Sequence, residues 1–214
     1  MEKIGLFPLA IVLFPESIYP LHIYEDRYIS LINSCIESGE QFGINLFADT
    51  RMQDVGCAAE VAEVVNIYNT GRLDILARGV KRYRLDKFSE SPDGFYIADV
   101  EYFDDEAAGF DDSILVECVE LFNKIAGSIE VVNIEPIDLV QLRTERPSFY
   151  IAQKAGLSIM ERQEVLELRN ENDRLMKILD HLKSIMPAIR KADTISRLIR
   201  NDGYQRPDFL RPKG

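Results

Sequence analysis

The residues able to do chemistry in this chain are few and scattered. There are two histidines, His22 and His181, and three cysteines, Cys35, Cys57 and Cys118. Neither histidine has a metal-ligating partner at HExxH or CxxC spacing, so neither a catalytic nor a structural metal site is expected. His22 sits between Leu21 and Ile23, so strand alternation turns it opposite to both, as a hydrogen-bonded packing residue. His181 follows Asp180 and is read as solvated. An odd number of well-separated cysteines fits no disulfide framework, and each is read as a small buried hydrophobe. Neighbouring carboxylates at Asp104-Asp105 and Asp111-Asp112 resemble acid/base pairs in type. Adjacent linker residues seldom converge on one substrate, however, and they are read as solvated. Neither GxxxxGK[ST] nor GxSxG occurs in the 214 residues, so neither a phosphate cradle nor a nucleophile elbow is present in the sequence. No catalytic residue and no cofactor is expected.

One constellation points to binding rather than catalysis. Glu25, Asp26 and Arg27 form a charged corner flanked by Tyr24 and Tyr28, where Glu25 and Asp26 in a first helical turn also suit the helix dipole. With Phe7 and Tyr19 near prolines, and Tyr68 and Asn69 at a hairpin end, they form a candidate rim for extended polypeptide. Aromatics offer large contact area at low entropy cost.

The elements that must position this rim are strands first and helices later. Apolar runs at 7–14 and 18–24, punctuated by Pro8, Pro15 and Pro20, read as strands with edges or bulges. Residues 25–38 carry Tyr28, Leu31, Ile32, Cys35 and Ile36 at helical spacing and stop at Gly39, a plug helix for one end of a sheet. Further strands are expected at 42–47, 57–68, 72–78, 82–88 and 95–103, with a polar loop at 49–54. Turns are expected at Asn69-Thr70-Gly71 and Ser91-Pro92-Asp93-Gly94. Mostly hairpin-connected strands favour closure, which removes exposed edges.

After an acidic linker at 104–109 the periodicity becomes helical. Asp111 or Asp112 caps a helix that ends near Gly127, and shorter helices follow at 136–142 and 148–155. Ser158-x-x-Glu161 has capping-box spacing. Asn170 either caps a further helix that stops near Pro187, with Leu175, Ile178, Leu179, Leu182 and Ile185 buried, or lies inside one continuous helix. A last helix is expected over 193–200. The expected class is α+β: a six-stranded, mainly antiparallel barrel over 1–106, a helical bundle over 110–200 and an extended basic tail over 201–214.

The net charge is −11, but residues 186–214 hold seven basic against three acidic groups, so the preceding chain carries −15. An acidic body disfavours nonspecific nucleic-acid binding. The longest apolar runs fall short of the roughly 20 residues that cross a bilayer, and the start lacks a signal-peptide pattern, so a cytoplasmic location without membrane contact is expected.

The motifs carry a resemblance. Phe7-Pro8-Leu9, Phe14-Pro15, Pro20-Leu21-His22-Ile23-Tyr24-Glu25 and Arg27-Tyr28 are similar to the opening of the amino-terminal substrate-binding domain of the Lon protease family. Residues 55–61 (VGCAAEV), Gly71-Arg72 with 79–85 (GVKRYRL) and 158–167 (SIMERQEVLE) resemble later segments of that domain. Cys57 departs from the family's usual hydroxyl, and Asn69-Thr70 replaces an acidic turn residue. The resemblance implies a PUA-like barrel followed by a helical bundle. It also implies a non-enzymatic, stand-alone module for exposed apolar segments of polypeptides, acting as an adaptor in proteolysis or quality control with a protease or chaperone as partner. The alternative it raises is RNA binding, since PUA-like barrels occur in RNA-modifying proteins and the basic tail is a possible anchor. Self-association through the apolar face of 175–199 is a further expectation.

Overall fold

The computed structural model describes residues 1–106, 109, 111–128, 134–140, 142 and 146–201, with side chains described as far as residue 191. Six strands form one mixed sheet: β1 (Glu2–Leu6), β2 (Ile18–Ile23), β3 (Phe42–Ala48), β4 (Arg51–Ile67), β5 (Leu73–Glu90) and β6 (Tyr96–Tyr102). The order is β2-β5-β4-β3-β1-β6, and β5 also pairs with β6, so the pairings of β5, β4, β3, β1 and β6 close a ring. Only β1 and β3 run parallel; every other pairing is antiparallel. The closure depends on the length of β5. Its first half lies between β2 and β4, and its second half between β4 and β6.

Three expectations about strands are corrected. The first strand is Glu2–Leu6 rather than 7–14. Beyond it only Phe7 and Leu9 donate to β3, at 2.7 and 3.0 Å, because Pro8 has no amide to offer. The expected strands at 72–78 and 82–88 are one strand, β5. Gly79 does not break it but sits where the register against β4 shifts, and lets the Phe14 carbonyl lie against the bare backbone. The polar loop expected at 49–54 shrinks to the two-residue turn Asp49-Thr50, and β4 already begins at Arg51.

Among the described residues, five helices follow the same physics. Helix α1 (Asp26–Ser38) buries Tyr28, Leu31, Ile32 and Cys35 and ends at Gly39 in the left-handed region (φ 74°). Helix α2 (Asp112–Ser128) is capped by Asp111, whose Oδ1 accepts from the Ser113 amide at 2.8 Å. Helix α3 (Pro147–Lys154) begins on a proline, and α4 (Ile159–Glu167) carries the full Ser158/Glu161 capping box. Asn170 caps α5 (Glu171–Asn201), separate from α4. The helix expected at 136–142 is absent over its described residues. There Asn123 takes both backbone groups of Ile137, at 2.7 and 2.9 Å, in place of a helical partner. Helix α5 does not stop near Pro187 but continues through it, so the expected last helix is its extension. Residues 202–214, most of the expected basic tail, lie outside the described residues.

Apolar packing unites the two halves. Val12, Phe14, Leu46 and Val55 from the strand half join Phe122, Phe149, Val165 and Leu175 in one buried cluster, with Phe14 and Phe149 stacked at 5.3 Å. Leu175, Ile178, Leu179 and Leu182, part of the face expected to self-associate, are buried within the chain itself.

Candidate functional site

A groove of about 400 Å³ opens where four parts of the chain meet. Phe7, Pro8 and Leu9 form one wall as the chain leaves β1, and the corner from β2 into α1 supplies His22, Tyr24, Glu25, Arg27 and Tyr28. The β3–β4 hairpin adds Phe47, Thr50 and Met52, and the paired strands β5 and β6 add Phe88 and Tyr96. Phe7 and Tyr28, both 5% exposed, pack ring to ring at 4.2 Å, and Phe88 meets Tyr96 edge-on at 5.2 Å. Tyr24, Phe47 and Phe88 keep 59%, 47% and 47% of their surface in water, an unusual cost for aromatics.

Local backbone chemistry fixes these positions. Glu25 is extended (φ −86°, ψ 131°) at the start of α1, and its carbonyl accepts the Tyr28 and Ile29 amides, each at 2.9 Å. Its carboxylate does not cap the helix. Instead its Oε2 accepts from Arg27 Nε and Nη2 at 3.0 and 2.8 Å, while the Arg27 guanidinium lies 4.5 Å over the Tyr28 ring. Burial works against the Arg27 charge, but the Glu25 hydrogen bond leads the contributions that leave it above its ordinary value. Burial likewise raises the Tyr28 hydroxyl. In the opposite wall Asp49 and Thr50 both have positive φ, 49° and 66°, as a two-residue hairpin demands. A β-branched residue is strained there, and Thr50 faces the groove.

His22 is half exposed, and its Nδ1 lies 2.6 Å from Asp74 Oδ1. A carboxylate only accepts, so Nδ1 is the donor in this pair. Tyr68 donates to the other Asp74 oxygen at 2.7 Å, and this bond, followed by that of His22, lowers the Asp74 carboxyl below its ordinary value.

Of the nine rim residues expected from sequence, the structure therefore gathers Phe7, Tyr24, Glu25, Arg27 and Tyr28 in the groove. Tyr68 reaches it only through Asp74 and His22. Asp26 is exposed in the first turn of α1, Tyr19 packs on the core and Asn69 is exposed at the hairpin end. Phe47, Met52, Phe88 and Tyr96 were missed. A usable signal was Phe88, an aromatic among Lys87, Ser89 and Glu90 on a strand, with no apolar alternation to draw it inward.

Two further corrections concern charged groups. Asp105 is not a solvated linker residue: its carboxylate takes a bidentate pair of bonds from Arg174 at 2.8 and 2.6 Å and another from Arg82. Arg174 also bonds Ser148 and Glu171, and Arg82 bonds the carbonyls of Leu166 and Leu168 at 2.8 and 2.6 Å. Burial pulls the Arg82 guanidinium down to about 10 against the attraction of Asp105. Arg174, equally buried, stays above its ordinary value because Asp105 and Glu171 both hold it. His181 is not solvated either; its Nδ1 lies 3.0 Å from Glu161 Oε1, tying α5 to the cap of α4.

Burial lifts the thiols of Cys35 to about 11 and of Cys57 and Cys118 to about 12, so none is a ready nucleophile. Among the described residues no cluster of three or more His, Cys, Asp or Glu is placed to hold a metal ion, and no helix is long and apolar enough to cross a membrane.

The fold is an α+β domain with an aromatic groove at its rim. Comparison with known proteins makes the class specific: residues 3–184 match the family described as the ATP-dependent protease La (LON) substrate-binding domain, and the chain belongs to that family. It is 25% identical over 228 aligned residues to Lon protease 1 of Hydrogenovibrio crunogenus, and 23% identical over 224 to Lon protease of Dictyoglomus thermophilum. These alignments cover 99% and 98% of the chain but 28% of each relative, so the chain spans well under a third of their length. Among solved structures, a Lon N-terminal domain protein from Xanthomonas campestris superposes with a TM-score of 0.65 at 20% identity, covering 84% of this chain and 98% of that one. The N-terminal domain of a Mycobacterium avium complex Lon protease gives 0.67 at 18% identity, over 85% and 98%. Both share the fold.

Proposed function

We propose that the chain is a non-catalytic module that holds exposed apolar segments of polypeptides in the groove between Tyr24, Phe47 and Phe88, and presents them for proteolysis or quality control. The observation that carries this reading is the rim itself, three half-exposed aromatics around a floor of Phe7 and Tyr28. Covering the exposed halves of three aromatic side chains removes about 300 Å² of apolar surface from water, roughly 7 kcal/mol before association and ordering costs. Those costs take back most of it, so affinity is micromolar or weaker and tolerant of sequence. A Lon-type protease is the partner that the family membership favours. The test is a titration with a permanently unfolded polypeptide and with its folded form. Binding of the unfolded form alone supports the proposal; equal affinity for both, or none for either, overturns it.

A further inference from the structure

Strand β2 has one hydrogen-bonded neighbour, β5, and its other edge has no strand beside it among the described residues. The direction of its backbone groups follows from the residue before it: the Ser17 carbonyl accepts from the Gly79 amide at 2.9 Å, so position 17 faces β5. Alternation then turns the backbone groups of Tyr19, Leu21 and Ile23 toward β5 and those of Ile18, Pro20 and His22 toward the free edge. Pro20 costs the β2–β5 ladder nothing on this register, because its missing amide belongs to the open side. The open edge therefore presents three carbonyls, at Ile18, Pro20 and His22, and two amides, at Ile18 and His22. The Ile18 carbonyl has a single contact, from Gln153 Nε2 at 3.5 Å, at the limit of a hydrogen bond.

Each end of this edge opens into a groove. His22 and Tyr24 line the aromatic groove, and Ser17 and Ile18 line a second one of about 590 Å³ shared with α3 and the segment around Pro136. Ile18 to His22 is about 13 Å along a strand. A row of three acceptors and two donors, interrupted by the Pro20 ring where a third donor would stand and with a pocket at either end, matches an extended polypeptide backbone. The charges bordering the grooves narrow its composition. Glu16, Glu135 and Asp138 stand against Arg146 in the second groove, and Glu25 against Arg27 in the first, in a chain of net charge −11.

We infer that the free edge of β2 adds an extended, net-basic polypeptide segment as a further strand, with one apolar side chain in the aromatic groove and another beside Ile18. This rests on the proposed polypeptide-binding function and specifies how the segment is held. Side-chain capture alone requires nothing of the ligand backbone, whereas strand addition requires alternate amides.

The test uses the full chain and a fluorescently labelled, lysine-flanked peptide with two phenylalanines spaced as Ile18 and His22 are. Two derivatives are N-methylated on one or the other alternate set of backbone amides, and a fourth peptide has glutamate flanks. Methylating one set is expected to weaken binding about tenfold or more and the other set to leave it nearly unchanged, because only one set faces β2. The glutamate-flanked peptide is expected to bind more weakly than its lysine counterpart. Equal effects of the two methylated sets, in either direction, overturn strand addition while leaving apolar capture intact. Glutamate flanks that bind as well as lysine flanks overturn the basic preference. If the parent peptide does not bind at all, the proposed function fails with the inference.

Discussion

Replacing Asp105 by asparagine leaves two buried guanidiniums with one carboxylate between them. Arg82 is 1% exposed and Arg174 wholly buried, and Asp105 and Glu171 balance them. Asparagine keeps one acceptor oxygen but removes the charge and replaces the second oxygen with a donor that faces Arg174. Breaking a buried pair from one side costs about 3 to 5 kcal/mol, and the partial exposure of Asp105 puts the expected loss at the lower end, about 3 kcal/mol. With a urea dependence of about 2 kcal/mol per molar, the unfolding midpoint falls by roughly 1.5 M. The assay is urea unfolding followed by circular dichroism, with Asp104→Asn as the control. The Asp104 side chain is 77% exposed and its carboxylate meets Lys81 at 3.3 Å, while the carbonyl that accepts from Arg169 is kept in the variant, so the replacement moves the midpoint by no more than about 0.3 M. Equal shifts for the two variants would refute the reasoning, since neighbouring carboxylates would then be equally dispensable.

Gly79→Ala places a methyl group on the Phe14 carbonyl, which is backbone and cannot rotate away, so a loss of about 1 to 3 kcal/mol is expected in the same assay. Glu161, held down to about 2 first by the Ser158 hydroxyl, adds stability that is complete above its ordinary value near 4.5 and is lost as pH falls through 2. Glu161→Gln keeps the capping acceptor but does not titrate, so its melting temperature should fall less than that of the parent chain over that window. A parallel fall would show that other carboxyls dominate. Tyr24→Ala, on a half-exposed ring, should change stability by less than about 0.5 kcal/mol while weakening peptide binding, as chemical denaturation and titration together will show.

Local signals were legible in the sequence and long-range ones were not. The Ser158-x-x-Glu161 box, the Gly39 stop and the buried stripe of α1, apart from Ile36, which lies exposed, were read correctly because each is settled within a turn or two of chain. Pro187 misled because α5 continues through a proline. Residues 136–140 misled for a different reason: the Asn123 side chain, far away in sequence, claims the backbone of Ile137. The groove was half legible. The corner residues from Tyr24 to Tyr28 are consecutive, whereas Phe47, Met52, Phe88 and Tyr96 reach the same space only once the ring of strands has closed. Asp105 looked like any linker carboxylate until Arg82 of β5 and Arg174 of α5 closed on it.

The measurement that reaches the central claim most directly is fluorescence anisotropy of a labelled, aromatic-rich unfolded peptide titrated with the parent chain and with the double variant Tyr24→Ala, Phe88→Ala. Both side chains are about half in water, so the variant should keep its fold while binding falls about tenfold or more. A well-folded variant that binds as tightly as the parent would place polypeptide capture outside this groove.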